Sequence, residues 1–289
     1  MADTIDASSI SEFAPLRGPS VPVRVVEVNG GESRPRRDRL ATEEPLEIRA
    51  SGPGQLTVRV AVTMRTPGHD FELAAGFLFT EGLIAGRRAF SHIRYCNDVG
   101  TEQHLNVVTV DMRDGFDPTR MQRNFFASSS CGVCGKASID QLAVACEQLS
   151  DGLVVSRQII TALPDRLRAE QRVFASTGGL HATGLFRPSG ELVVAREDVG
   201  RHNAMDKLIG NRLLEGEPPL SSSIVLVSGR ASFELVQKAA VAGIPILCAV
   251  SAPSTLAVDT ARRLGVTLVG FLRGERFNIY ANAQRIDLT

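Results

Sequence analysis

The sequence predicts an α/β protein with a smaller α+β region ahead of it, and three observations carry that prediction. From Ser223 to Leu272 apolar runs and helical patterns alternate as β-α-β-α-β, the rhythm of parallel strands joined by right-handed crossovers. Before Met112 the pattern differs, with short alternating segments around one amphipathic helix. Between the two lies a polar stretch, Asp114 to Ser130, which carries Gly115, Pro118 and several arginines. These features set the expected organisation: a flexible tail over 1–20, an N-terminal α+β domain over 21–125 and a C-terminal α/β domain over 126–289. A chain of 289 residues is long enough to bury a full core.

Taken in order, Pro22 to Val28 reads as a strand and Arg34-Pro35-Arg36-Arg37-Asp38-Arg39 as a charged loop, a solvated surface rather than a binding patch. Leu46 to Arg49 and Leu56 to Thr63 follow as strands, the second alternating clearly. Thr66-Pro67-Gly68 then breaks the chain before a helix over His69 to Leu83, with Phe71, Leu73, Ala74, Phe77 and Leu78 as its apolar side. His104 to Met112 alternates as another strand. Ser138-Ile139-Asp140-Gln141 has capping-box spacing, which starts a helix near Ala137 to Ile139. Cys146 shares that helix's apolar stripe with Ile139, Leu142 and Leu149. Arg172 to Ser176 reads as a strand entering Thr177-Gly178-Gly179-Leu180-His181. Ser223 to Ser228, Ile244 to Val250 and Val266 to Leu272 are the strands of the alternation, with helices ending near Ala242 and Leu264 between them. Cys248 lies inside the middle strand and reads as core, while Cys96 has no assigned role.

Composition excludes several classes of function. Lys plus Arg equals Asp plus Glu at 32 each, so no broad basic face is available for nucleic acid. No apolar run approaches a membrane span. Met1 to Ser20 lacks the charged-then-apolar layout of a signal peptide, and five cysteines is an odd number for a disulfide framework. A cytoplasmic protein is expected.

The most informative stretch is Ser128-Ser129-Ser130-Cys131-Gly132-Val133-Cys134-Gly135-Lys136. Two cysteines two residues apart, framed by glycine and serine, lack the apolar neighbours that buried cysteines keep. Redox exchange, half of a metal site and carriage of a sulfur atom are the chemistries open to them. A helix N-terminus just beyond Cys134 and the nearby Lys136 both favour the thiolate, the nucleophilic form.

Two loops of the second half, Gly229-Arg230-Ala231-Ser232 and Ser251-Ala252-Pro253-Ser254-Thr255, are small, polar and placed before helices at the carboxyl ends of strands. Ligands of open parallel sheets bind there, and the free N–H groups suit an anion. Ordinary helix capping by Ser232 and Ser254 is the competing reading. Neither loop is a Walker A or a GxGxxG, so ATP and NAD lack their usual signatures. Gly178 and Gly179 precede His181, and Asp198, Arg201, His202 and Asn203 cluster at a strand-to-helix turn with Asp206 one turn on. Clustered titratable groups of this kind mark candidate sites.

Taken together, several segments resemble the formate dehydrogenase accessory sulfurtransferases, the FdhD family. They are Met64-Arg65-Thr66-Pro67-Gly68-His69, the stretch from Ser129 to Lys136, Thr177 to His181, and Glu197-Asp198-Val199-Gly200-Arg201-His202-Asn203-Ala204 with Asp206-Lys207-Leu208. Ser228 to Glu234, Ser251 to Ser254, and Gly270-Phe271-Leu272-Arg273 with Arg276-Phe277-Asn278-Ile279-Tyr280 complete the set. The resemblance implies a protein that takes a sulfane sulfur from a cysteine desulfurase. It passes the sulfur to the molybdenum cofactor, in its bis-molybdopterin guanine dinucleotide form, for apo formate dehydrogenase. It implies a persulfide on Cys131, with Cys134 as helper or alternate carrier, and a C-terminal part with the three-layer cytidine deaminase fold. It also implies cofactor contacts at Phe271, Leu272, Arg273, Gly274, Glu275 and Arg276; Gly178, Gly179, His181, His202, Gly229 and Ser251, from the loops and clusters above, join them as candidate cofactor-binding residues. The cofactor is then bound as substrate through its guanine-nucleotide part, no permanent metal is expected, and a homodimer is expected of this sort of fold. Arg273 and Arg276 offer planar forks that match phosphate oxygens.

Two rivals belong to other classes. A zinc-dependent nucleobase deaminase needs H-x-E and P-C-x-x-C, but Ala182 and Thr183 follow His181, and the CxxC precedes that histidine and lacks the proline. A non-catalytic cofactor chaperone would keep the anion loops but have no use for Cys131 and Cys134.

Overall fold

Two helices crossing at a pair of glycines join the two main sheets of the molecule. The structure, a computed structural model, describes residues 18–96, 104–117, 148–150, 152–216 and 218–289. Cys131, Cys134, the helix expected from about residue 137 and the stripe containing Cys146 lie outside the described residues. The first half contains β1 (Ser20–Asn29), β2 (Glu32–Ala41), β3 (Glu44–Ser51), β4 (Val58–Arg65), α1 (Asp70–Thr80), β5 (Phe90–Tyr95) and β6 (Val107–Met112). Strands β1 and β2 form a ribbon of their own, and the others form a sheet of order β4-β3-β6-β5.

The second half runs β7 (Val155–Ser156), α2 (Arg157–Glu170), α3 (Arg172–Thr177), β8 (His181–Phe186), β9 (Leu192–Asp198), α4 (Arg201–Leu214), β10 (Ile224–Val227) and α5 (Phe233–Val241). It continues with β11 (Ile246–Ala249), α6 (Thr255–Leu264), β12 (Thr267–Arg273), β13 (Arg276–Ala281) and β14 (Ile286–Asp287). A six-stranded sheet of order β13-β12-β11-β10-β8-β9 is its centre. Strands β10, β11 and β12 are parallel, as the β-α-β-α-β rhythm predicts, and β8, β9 and β13 add antiparallel pairs at its flanks.

Both faces of this sheet are buried, which is why its central strands read as unbroken apolar runs. Val225, Leu247 and Leu268 face a core shared with α4, α5, α6, α1 and the four-stranded sheet. Ile224, Leu226, Ile246 and Cys248 face the other way, against Ile160, Leu163 and Leu167 of α2. The arrangement is three-layered, helices over sheet over helix. Cys248 is fully buried as expected, and burial pushes its thiol far above the ordinary range. Cys96 is also buried.

Three sequence readings need correction. Arg34 to Arg39 is not a loop but most of β2: Asn29-Gly30-Gly31-Glu32 closes a hairpin whose glycines take φ of 56° and 94°, and Glu27 accepts from both Arg34 and Arg36 across the strands. Arg172 to Ser176 is helical, because the Glu197 carboxylate accepts the free N–H groups of Val173 and Phe174 at its start. Strand β4 begins at Val58, leaving Leu56 exposed.

Helices α1 and α4 approach closely enough that a methyl group on Gly76 would overlap the carbonyl oxygen of Asp206, and one on Gly210 that of Glu72. In an ordinary helix interior, glycine to alanine stabilises by about 1 kcal/mol. Here the sign reverses: Gly76→Ala or Gly210→Ala must push two backbones apart, at a cost of about 3 kcal/mol or more. A lowered urea midpoint for each variant, with unchanged slope, is the expected result.

Candidate functional site

The site is held from beneath by a buried polar scaffold. Asp198, at the end of β9, accepts from the backbone N–H of Thr66 at 3.1 Å and of Gly200 at 2.8 Å, and from Asn203 Nδ2 at 3.1 Å. The Lys207 ammonium lies 2.7 Å from the same carboxylate and donates to the Thr66 carbonyl. Asn203 also donates to the Met64 carbonyl, and Thr66 Oγ1 accepts from Val199 N–H. The Met64–His69 motif and the Glu197–Lys207 motif therefore bind each other. One turn on, Lys238 sits buried between Asp206 at 3.0 Å and Glu81 at 2.9 Å and donates to Thr80 Oγ1. Burial alone would lower the Lys238 pKa, but the two carboxylates outweigh it and raise it. Asp198, Asn203, Asp206 and Lys207, clustered in sequence, are thus spent on structure.

This scaffold turns Arg201 and His202, the first residues of α4, toward one edge of the six-stranded sheet. His202 Nε2 lies 2.7 Å from Glu234 Oε2 and 3.1 Å from Ser232 Oγ. That hydrogen bond holds the Glu234 carboxyl below its usual range, against the effect of burial. Glu234 and Ser232 meet the same ring nitrogen, so they do not form the nucleophile–base–acid relay of a hydrolase, which engages both nitrogens. Ser232 is the N-cap of α5 but makes no capping hydrogen bond, whereas Ser254 caps α6 by accepting from Ala257 N–H. The capping reading therefore holds for one serine and not for the other.

His181 opens β8 on the same edge, with its imidazole against Gly229, where an added Cβ would lie 3.3 Å from Nδ1. Burial first, then the neighbouring Arg201 and His202, lower its pKa and so favour the neutral ring. The loops beyond β10 and β11 are laced together. Ser251 N–H donates to the Gly229 carbonyl, Ala231 N–H to Ala252, Ser254 N–H to Ala231, and Phe271 N–H to Ser251. Those four N–H groups serve the loops rather than an anion. Phe271 sits at a β-bulge with φ of +53°, a left-handed conformation costly for an aromatic residue, and is 39% exposed.

The edge therefore gathers His181, His202, Gly229, Ser251, Phe271 and Arg273, the last donating to the Val250 carbonyl at 3.4 Å. Gly274, Glu275 and Arg276 lie exposed at the turn into β13. Leu272 turns the other way, into the core beneath. Gly178 ends α3 with φ of 67°, and Gly179 packs on Ala41 of the ribbon. Glu234 and the orphaned Nε of Arg201, buried with no partner among the described residues, are the features sequence reasoning missed. Placement of Glu234 in the first turn after Ser232 was the available signal. No three His, Cys, Asp or Glu side chains converge to hold a metal among the described residues. No helix among them is long and apolar enough to cross a membrane.

The sequence profile of the FdhD/NarQ family matches residues 41–287. The chain belongs to the FdhD/NarQ family. Among similar proteins, the sulfur carrier protein FdhD of Streptomyces coelicolor is 52% identical over 92% of this chain and 95% of its own length. The protein of the same name from Mycobacterium tuberculosis is 47% identical over 91% of this chain and 97% of its own length. A crystal structure from Desulfotalea psychrophila, provisionally assigned as a formate dehydrogenase accessory protein, superposes with a TM-score of 0.74 at 26% identity, covering 93% of this chain and all of that one. Every described site element falls within the span matched by the FdhD/NarQ profile.

Behind the edge, Glu72 of α1 clamps α4 and β9. Its carboxylate accepts from Arg196 Nη2 at 2.7 Å and Asn211 Nδ2 at 3.0 Å, with His69 Nδ1 at 3.3 Å. Burial raises its pKa, but Arg196, His69 and Asn211 together bring it down to about 2 from an ordinary 4.5. A depressed carboxylate stabilises the fold above its unfolded pKa and loses that contribution as pH falls through its folded one. Stability measured by chemical denaturation should therefore drop between pH 4.5 and about 2, and Glu72→Gln should flatten the slope in that window. An unchanged slope would remove Glu72 from the clamp.

Proposed function

We propose that the chain is a sulfur carrier serving formate dehydrogenase maturation, acting through a persulfide on Cys131. The family match over residues 41–287 carries this reading, supported by relatives about half identical along nearly their whole length that bear the sulfur carrier name. In this reading the Cys131 thiolate attacks the outer sulfur of a donor persulfide supplied by a cysteine desulfurase. The donor S–S bond breaks, the donor leaves as a thiolate, and a new S–S bond forms on Cys131. Cys134 is close enough in sequence to help release the sulfur or to carry it in turn.

The acceptor in this proposal is the molybdenum cofactor in bis-molybdopterin guanine dinucleotide form, handled as substrate. Molybdenum favours soft sulfur ligands. The sheet edge fits an anionic dinucleotide. It crosses five strand spacings, about 24 Å, and carries Arg201 with an orphaned Nε, exposed Arg230, Arg273 and Arg276, and the exposed ring of Phe271. His181, set against Gly229 with its neutral form favoured, supplies a donor or acceptor without adding charge. The three-layer order of α4, α5 and α6 over the sheet and α2 beneath it agrees with a cytidine-deaminase-like C-terminal part. A cytoplasmic homodimer handing the sulfurated cofactor to apo formate dehydrogenase completes the proposal.

Incubation with cysteine and a cysteine desulfurase, followed by peptide mass spectrometry, tests the carrier step. The Cys131–Cys134 peptide should gain one sulfur that dithiothreitol removes, and Cys131→Ala should lose the gain. No gain, with zinc bound instead, would make the two cysteines metal ligands. Calorimetry tests the edge: Arg273→Ala with Arg276→Ala should weaken guanosine diphosphate binding about tenfold, and unchanged affinity would take both out of the site.

A further inference from the structure

The β1–β2 ribbon is a two-stranded arm of ten-residue strands that, among the described residues, pair only with each other. A lone hairpin is marginal in water, and among the described residues no strand pairs with either of its outer edges. Register sorts its side chains into two unlike faces, since residues directly opposite share a face. On one face Glu27 neutralises Arg34 and Arg36, and Asp38 lies opposite Val23. The other face pairs Arg24 directly with Arg37 and holds Arg39 opposite Pro22, with no carboxylate on it. The Arg39 guanidinium donates to the Ser20 hydroxyl and carbonyl, both neutral, and Arg24 and Arg37 have no carboxylate partner among the described residues. Beyond these arginines the same face carries Val26 and Val28, 69% and 70% exposed. Opposed like charges and bare valines both disfavour leaving such a face in water.

The arm is anchored at the candidate site. Thr42 N–H and Oγ1 bond the Pro19 and Gly18 carbonyls across its open end. Ala41 packs on Gly179, two residues before His181. A protein held by the ribbon is therefore held beside the sheet edge.

We propose that this cationic-apolar face of the ribbon docks an acidic protein surface, and that its occupant is the apoprotein to which sulfur is delivered. This rests on the carrier reading above. Three arginines alternating with aliphatic residues, and strand edges with no neighbouring strand among the described residues, fit an extended, carboxylate-bearing segment added alongside. Nucleic acid would want more cations and stacking aromatics, and a membrane surface would want larger apolar side chains.

The test is biolayer interferometry of the full chain against apo formate dehydrogenase, with persulfide uptake measured in parallel. Arg24→Glu with Arg37→Glu should weaken binding about tenfold or more and flatten its salt dependence, while Arg34→Gln on the opposite face should not. Val26→Asp should weaken binding without touching the arginines. Guanosine diphosphate affinity and thermal unfolding of each variant should match the parent. Binding that ignores the charge reversal overturns the proposal, as does transfer of the reversal's effect to anionic vesicles or RNA. A parent chain that takes up persulfide but does not bind the apoprotein also overturns it, leaving the carrier reading intact. Loss of both in the parent overturns the carrier reading itself.

Discussion

The glycine crossing between α1 and α4 is the constraint on which the rest of the molecule depends. Backbone-to-backbone contact at Gly76 and Gly210 brings Thr66, Glu72, Thr80 and Glu81 within reach of Asn211, Lys207, Asp206 and Lys238. Two buried ion pairs and the Glu72 clamp then form in one narrow seam. Burying such charges costs several kcal/mol per ion unless each finds complete partners. Asp198 and Lys207 meet that condition through the N–H and carbonyl of Thr66, in the loop before α1, and the N–H of Gly200. A looser crossing would leave those charges half-satisfied, so side-chain size at two positions decides whether the polar seam is affordable. The hydrophobic core, shared by both sheets, is arranged around this seam.

That seam also explains the direction of the site. Every carboxylate and amide of the Glu197–Lys207 run that faces inward is occupied, which leaves Arg201 and His202 as the residues presented at the sheet edge. The edge is where β10, β11 and β12 end and where β8 and β13 begin, so residues distant in sequence meet there by topology alone.

Much of this was legible in sequence, and the failures share a cause. Central strands and the helices after Ser232 and Ser254 announce themselves because burial on both faces writes long apolar runs. The arginine-rich strand β2 does not, because a two-stranded ribbon imposes no burial pattern and its order depends on the Asn29–Glu32 turn and cross-strand charges. Arg172 to Thr177 is short and β-branched enough to pass for a strand, and only the distant Glu197 makes it helical. At the site, the sequence put the Gly229 and Ser251 loops on one sheet edge and named His181, His202 and Phe271 as candidates without bringing them to that edge. It did not separate Asp198 and Asn203, which hold the scaffold, from His202, which faces out. That distinction depends on partners in the Met64–His69 motif more than 130 residues away, and no local spacing encodes it.

The lacing of the edge loops bears on how a cargo is held. In phosphate-binding loops the backbone N–H groups do the recognition, and binding is tight because those donors are fixed and desolvated. Here Ala231, Ser251, Ser254 and Phe271 direct theirs to neighbouring carbonyls, so those four donors are not offered to an anion and side chains take a larger share. Arg230, Arg273 and Arg276 are solvent-exposed, and contacts of exposed arginines contribute about 1 kcal/mol or less each. Arg201, with its buried Nε unpaired among the described residues, is a cation whose contact would be worth more. A site built mainly of exposed cations on a rigid frame releases as readily as it binds. That property suits the proposed role, in which the bound cofactor is a substrate to be surrendered, and it places selectivity on shape, at strained Phe271 and at His181, rather than on total charge.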